Sequence, residues 1–168
     1  MDPAPVDDPA SEVIAALDAL GIAFERFDHP PVFTADQAAE HWRNIKAMHV
    51  KNLFLRNKKG DRHFLVIAPI DRDVNLRALG ATLGVDRLSF ASPERLARHL
   101  GLTPGSVSIF GLLHDRAHRV ALVLDEAITR AERLAFHPNI NTSTLTIARA
   151  DLDRFLASTG HVPRYLTL

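Results

Sequence analysis

The sequence predicts a mixed α/β fold in which helices surround a curled β-sheet with a barrel-like core. Three observations predict it. Strand-like runs and helix-periodic segments are interspersed along the chain, with no repeat, linker or charge block to divide it. Hydrophobic residues make up 46% and charged residues 24%, a composition that can build a core. The 168 residues suffice for one domain of ordinary size and not for two.

Residues 1–10 carry three prolines and three aspartates before any periodic pattern begins, which predicts a mobile tail ahead of a single domain over 11–168. Ser11 is the expected cap of a first helix whose apolar positions are Val13, Ile14, Leu17 and Leu20, with Gly21 as its left-handed stop. Residues 23–27 read as a strand. Pro30 and Pro31 then impose an extended path, because residues before proline avoid the helical region. Thr34 and Gln37 match a capping box that opens a helix to about Trp42.

Residues 49–56 and 62–68 are apolar strands joined by a turn at Lys58-Lys59-Gly60-Asp61, and together they predict a central hairpin. A helix is expected from Asp73 to Gly84, a brief strand over 87–91, and a helix from Ser92-Pro93-Glu94 to Gly101. Strand character returns at 119–125, 133–136 and 142–148, and 151–158 reads as a closing helix before Gly160.

Composition excludes several function classes. Lys plus Arg and Asp plus Glu are both 20, so any nucleic-acid contact must be local rather than spread over a basic surface. With no cysteine there is no disulfide framework, thiolate nucleophile or sulfur-ligated zinc. No apolar run is long enough to span a bilayer and the first residues lack a secretion signal, so a cytoplasmic protein without membrane contact is expected. The spacing of His114 and His118 suits a helical metal pair, but the intervening Asp115-Arg116-Ala117 reads as a turn. Neither metal nor cofactor is expected. A serine triad is also disfavoured, since no G-x-S-x-G elbow occurs.

Three places can carry chemistry. Lys51 interrupts an apolar strand and is one of only four lysines against sixteen arginines. Its ammonium must snorkel outward, pair with a carboxylate or face an anion in a cleft, and the pattern alone favours snorkelling. The loop from Thr103 to Gly111 is bounded by glycines that admit close backbone approach to a ligand, although a simple turn explains it as well. His137 to Thr144 concentrates a histidine, two amides and three hydroxyls at a strand entrance, where Asx turns are the structural alternative.

Taken in order, His29-Pro30-Pro31-Val32-Phe33-Thr34, Lys51-Asn52-Leu53-Phe54-Leu55, Arg87-Leu88-Ser89-Phe90-Ala91, Thr103-Pro104-Gly105-Ser106-Val107, Phe110-Gly111-Leu112 and Phe136-His137-Pro138-Asn139 resemble the YbaK/prolyl-tRNA-synthetase-associated editing-domain family. The branch they resemble most is ProXp-ala. The resemblance runs from residue 11 to the end and implies a trans-acting deacylase that hydrolyses Ala-tRNA(Pro). A Cys-tRNA(Pro) deacylase and a non-catalytic binder of the tRNA end are the alternatives. It implies a catalytic set of Lys51, Gly105, Ser106 and His137, and substrate contacts at His29, Thr34, Asn52, Gly111, Asp115, Pro138, Asn141 and Thr142. Two departures from the family pattern are Ile109, where proline is common, and Leu113-His114 before Asp115.

An aminoacyl ester is labile, so a positioned water and oxyanion donors, here the amides around Gly105 and Ser106, are sufficient machinery. Lys51 suits an anion anchor better than a base, because lysine is normally protonated near neutral pH. The water can be oriented by the vicinal hydroxyl of the tRNA itself. The expected partner is the acceptor end of tRNA(Pro), met locally by Arg43, Lys46, Arg56, Lys58 and Lys59, with prolyl-tRNA synthetase a candidate helper and no DNA or membrane partner.

Overall fold

A computed structural model describes residues 8–168. The elements, in order, are α1 (Pro9–Ala19), β1 (Phe24–Asp28), α2 (Ala35–Trp42), β2 (Met48–Arg56), β3 (His63–Pro69), α3 (Leu76–Leu83), β4 (Ser89–Phe90), α4 (Pro93–Leu100), β5 (Val120–Asp125), β6 (Arg133–Phe136), β7 (Ser143–Ala148), α5 (Arg149–Thr159) and β8 (Arg164–Leu166), with 3-10 turns at Ile109–His114 and Glu126–Arg130.

One mixed sheet runs β1-β7-β6-β2-β3-β5-β8, and β4 adds to β2. The hairpins β2–β3 and β6–β7 are antiparallel, whereas β6–β2, β3–β5 and β5–β8 are parallel. The sheet is not a closed barrel, since β1 and β8 are its two ends. The central strand β3 is buried along its whole length. Leu65 and Ile67 face a core built with α1, α4 and α5, while Phe64 and Val66 face a second cluster under α3. Burial on both faces explains why its sequence is apolar without alternation.

The helix starts follow local chemistry. Asp8, not Ser11, caps α1 by accepting from the Ala10 N–H at 3.2 Å, with Pro9 in the first turn, where its missing N–H is harmless. Pro9 and Ala10 are therefore helical, and residues 1–7 of the expected tail lie outside the described residues. α3 opens at Leu76, later than Asp73, because Asn75 holds the extended cap geometry and accepts from Ala78 N–H. The expected box at α2 forms, with Thr34 Oγ1 accepting from Gln37 N–H and Gln37 Oε1 accepting from Phe33 N–H, one residue earlier than the usual pairing. Strand β8 and both 3-10 turns are unforeseen; β8 has only three residues and is defined by pairing to β5, not by its own pattern. Among the described residues no helix is long and apolar enough to cross a membrane.

Candidate functional site

The sheet forks at β2. This strand pairs with β6 only at Met48 and His49, and β4 joins the same edge only at Leu55 and Arg56. Between these points the edge is open. His49 C=O accepts from Ile70 on the β3 side, and Phe54 C=O accepts from Ala91 on the β4 side. Strand alternation therefore turns the backbone N–H and C=O of Asn52 into the fork.

A cavity of about 250 Å³ fills this fork. Lys51, Asn52, Gly105 and His137, from three separate stretches of chain, stand on its wall together with Thr34 and Phe33. The remaining wall is mostly apolar, from Val32, Ala38, Val50, Ile70, Val107 and the aromatic face of Trp42. Lys51 is half-buried on β2 and has no ion-pair partner among the described residues. Asn52 Oδ1 is buried without a hydrogen-bond partner. An orphan acceptor of this kind costs about 1–3 kcal/mol, which a donor brought by a ligand would recover.

His137 is held in one tautomer. Its Nδ1 lies 3.0 Å from Ser143 C=O, which can only accept, so Nδ1 carries the proton and Nε2 keeps its lone pair. Burial pushes the ring below the ordinary histidine pKa, the Ser143 bond opposing and His29 assisting. Nε2 has no partner among the described residues. A relay buttresses this side: Trp42 Nε1–H donates to Thr144 Oγ1 at 3.3 Å, and that hydroxyl lies 2.8 Å from His29 Nε2. His29 stacks on His41 and meets His137 edge-on, while Trp42 stacks on His49 with centroids 4.5 Å apart.

Gly105 adopts a φ of +88°, a conformation that L side chains rarely adopt. A Cβ there would stand 3.6 Å from the Phe33 ring and 3.8 Å from Asn141 Nδ2, which puts Asn141 beside the cavity's mouth. The Gly105 N–H has no acceptor among the described residues.

Other expected site residues lie elsewhere or do something else. Ser106 N–H is engaged by Thr103 C=O at 3.1 Å, so it is not a free oxyanion donor. Gly111 is a packing glycine, since a Cβ would come within 2.7 Å of Leu102 Cδ1. Asp115 is buried and accepts from Arg119 and Val120 N–H and from His161 Nε2, all at 2.9 Å, which makes it a strand anchor remote from the fork. Pro138 is buried and off the wall; Thr142 is exposed and its C=O receives His29 N–H.

Of the basic residues, Arg43 and Lys46 follow Trp42 and are exposed near the fork, whereas Arg56, Lys58 and Lys59 sit at the far end of β2. His114 is bound to Leu100 C=O and Glu12, and His118 to Thr159 C=O, which leaves no metal pair between them. Sequence reasoning missed Trp42 as a site builder, and it placed Phe33 and Thr144 inside candidate segments without singling either out. The position of the single tryptophan, at the end of a helix that follows the His-Pro segment, was the available signal.

Residues 29–155 match the family model described as aminoacyl-tRNA editing domain. The chain is 37% identical over 162 residues to the prolyl-tRNA editing protein ProX of Acetoanaerobium sticklandii, covering 96% of this chain and 98% of that protein. It is 36% identical to prolyl-tRNA synthetase associated domain-containing protein 1 of Mus musculus, covering 91% and 92%. Among solved structures, one provisionally described as a trans-editing enzyme for prolyl tRNA synthetase superposes with a TM-score of 0.71 at 21% identity over 99% of both chains. A second, of a hypothetical protein, gives 0.70 at 19% identity over 90% of this chain and 96% of that one.

Proposed function

This chain belongs to the aminoacyl-tRNA editing-domain family, and on that premise we propose that it is a trans-acting deacylase that hydrolyses Ala-tRNA(Pro) in the fork between β2 and β6. The observation that carries the reading is the convergence of Lys51, Gly105 and His137 on one small cavity.

The reaction needs water to attack the ester carbonyl, an oxyanion to be held, and the ribose oxygen to leave with a proton. His137 Nε2 is an unprotonated acceptor on the wall and takes the hydrogen bond of the attacking water or of the vicinal ribose hydroxyl that orients it. The Gly105 N–H faces the developing oxyanion, a contribution of roughly a hundredfold to a thousandfold per donor. Lys51 anchors the anionic end of the substrate, its phosphate or the oxyanion. Asn52 Oδ1, otherwise orphaned, accepts from the α-ammonium of the aminoacyl group. Phe33 is 72% exposed at the mouth and offers the terminal base a stacking face.

The apolar wall supports discrimination by size. On this reading a methyl side chain seats beside Val50 and Val107, and the bulkier prolyl ring is rejected by clash with the same wall. Alanine against glycine or serine is a finer distinction, because one methylene is worth only about 1–3 kcal/mol. Rates measured side by side on Ala-, Cys-, Ser- and Pro-tRNA(Pro) test the assignment. Fastest turnover of Ala-tRNA(Pro) with Pro-tRNA(Pro) intact is expected; fastest turnover of Cys-tRNA(Pro) moves the protein to the other specificity, and binding of every substrate without turnover makes it a tRNA-end binder.

A further inference from the structure

A second cavity, of about 680 Å³, opens at the opposite end of β2 from Lys51, between the β2–β3 turn, α4 and the segment after Leu113. Its wall carries the guanidiniums of Arg95, Arg98, Arg116 and Arg119 and the rings of His63 and His99. Arg56 reaches the same rim: the position a Cβ would take on Gly60 lies 2.8 Å from Arg95 Nη2 and 3.1 Å from Arg56 Nη1. Among the described residues none of these five arginines is ion-paired, although Arg72, Arg133, Arg149 and Arg154 all are.

The two carboxylates on the wall do not supply the missing charge. Asp115 directs both oxygens to backbone N–H groups and His161. Asp61 accepts from Asn57 and lies 3.8 Å from Lys59. Among the described residues the Arg95 guanidinium binds only Gly60 C=O and the His63 ring, and the His63 and His99 ring centroids stand 4.1 Å apart. Like charges gathered at an open cleft repel unless an anion joins them, and arginine's planar fork matches phosphate oxygens.

We propose that this cleft is a second RNA-contact site that grips backbone phosphates of the same tRNA whose aminoacylated end enters the fork. The two sites are close enough for one tRNA to reach both: Lys51 and Arg56 are five residues apart on one strand, about 17 Å at ~3.3 Å per residue. The balance of 20 basic and 20 acidic residues gives no general attraction for RNA, so a local arginine cluster is where affinity must reside. This inference takes its ligand from the reading of the chain as a tRNA deacylase, but its geometry is separate from the fork.

The test is the double variant Arg98→Glu/Arg119→Glu, whose side chains are exposed and make no hydrogen bond among the described residues. Binding of uncharged tRNA(Pro) is measured from 50 to 200 mM salt, alongside binding of inorganic phosphate and ADP. The expected result is a fall in tRNA affinity of more than tenfold, a salt slope smaller in magnitude by about 2, and a raised KM with kcat within twofold. Arg98→Lys should keep most of the slope. Unchanged tRNA affinity overturns the inference, as does loss of phosphate or ADP binding with tRNA binding intact, which would mark a small-anion site. If the wild type binds tRNA through Arg98 and Arg119 yet hydrolyses no ester, the inference stands and the deacylase reading falls.

Discussion

The fork and the cleft lie at opposite ends of β2 and are built on opposite principles. The fork is small, mostly apolar, and holds one ammonium, one orphaned amide oxygen and one histidine kept uncharged by burial. The cleft is more than twice as large and is lined by guanidiniums that have no counter-ion among the described residues. A small low-dielectric cavity makes each polar group count toward chemistry and size discrimination. An open cationic cleft contributes attraction that salt screens and that carries little selectivity. Chemistry and affinity are thus assigned to different ends of one strand, and the assignment can be broken by mutation.

The largest effect should come from Lys51→Ala, with deacylation slowed by about 10²–10³-fold and thermal stability unchanged, since the side chain has no ion-pair partner to lose among the described residues. Single-turnover rates beside a melting curve measure both. A variant that keeps its rate, while Arg98→Glu abolishes kcat, would put the chemistry at the wrong end of the strand.

Next is Asp115→Asn. Exchanging this buried carboxylate for an amide replaces one acceptor oxygen by an NH₂, which then faces either the Arg119 N–H or the Val120 N–H and the His161 ring. The expected loss is about 3–5 kcal/mol, a drop of roughly 10 °C or more in Tm, with kcat of the folded fraction preserved. A raised KM without lost stability would return Asp115 to the substrate-binding set.

The two glycines sharpen the comparison at smaller scale. Gly111→Ala forces a methyl against Leu102 and should cost about 1–3 kcal/mol of stability. Gly105→Ala meets nothing closer than 3.6 Å, but its φ of +88° strains any L residue by about 1–2 kcal/mol. The two variants should melt alike and only Gly105→Ala should lose kcat.

Much of this division was legible in the chain and part was not. The hairpin of β2 and β3, the capped helices at Thr34 and Ser92 and the left-handed stops at Gly84, Gly101 and Gly160 follow from residue type at short range. The resemblance also brought Lys51, Gly105 and His137 forward, and they share one wall. Residues chosen only because they sit in matching segments fared differently: Gly111 and Asp115 are needed there for packing and for anchoring β5, which no local pattern distinguishes from ligand binding. Likewise the fork is a property of where β6 leaves β2 and β4 joins it, and the cleft gathers arginines from α4, β2 and the chain before β5. Long-range pairing creates both, so spacing along the sequence cannot show them.

The smallest effect separates the two ends by their histidines. Burial lowers both His137 and His63, but His63, brought down to about 4, is depressed further by His99 and Arg95, whereas His137 has only His29 as a charged neighbour acting in that direction. Unfolding restores the ordinary histidine value near ~6.5, so between that pH and about 4 the unfolded chain binds a proton at His63 that the folded chain refuses, and stability falls with acidity across that window. His49, His99 and His137 are shifted in the same direction; His114, raised by Leu100 C=O and Glu12 against the effect of burial, opposes them. Salt screens charge–charge repulsion but not desolvation. Raising ionic strength should therefore move the His63 titration upward by NMR and leave that of His137 almost fixed, and added tRNA should raise His63 further by placing phosphates beside it. Equal salt sensitivity at the two rings would mean that the cleft carries no more positive potential than the fork.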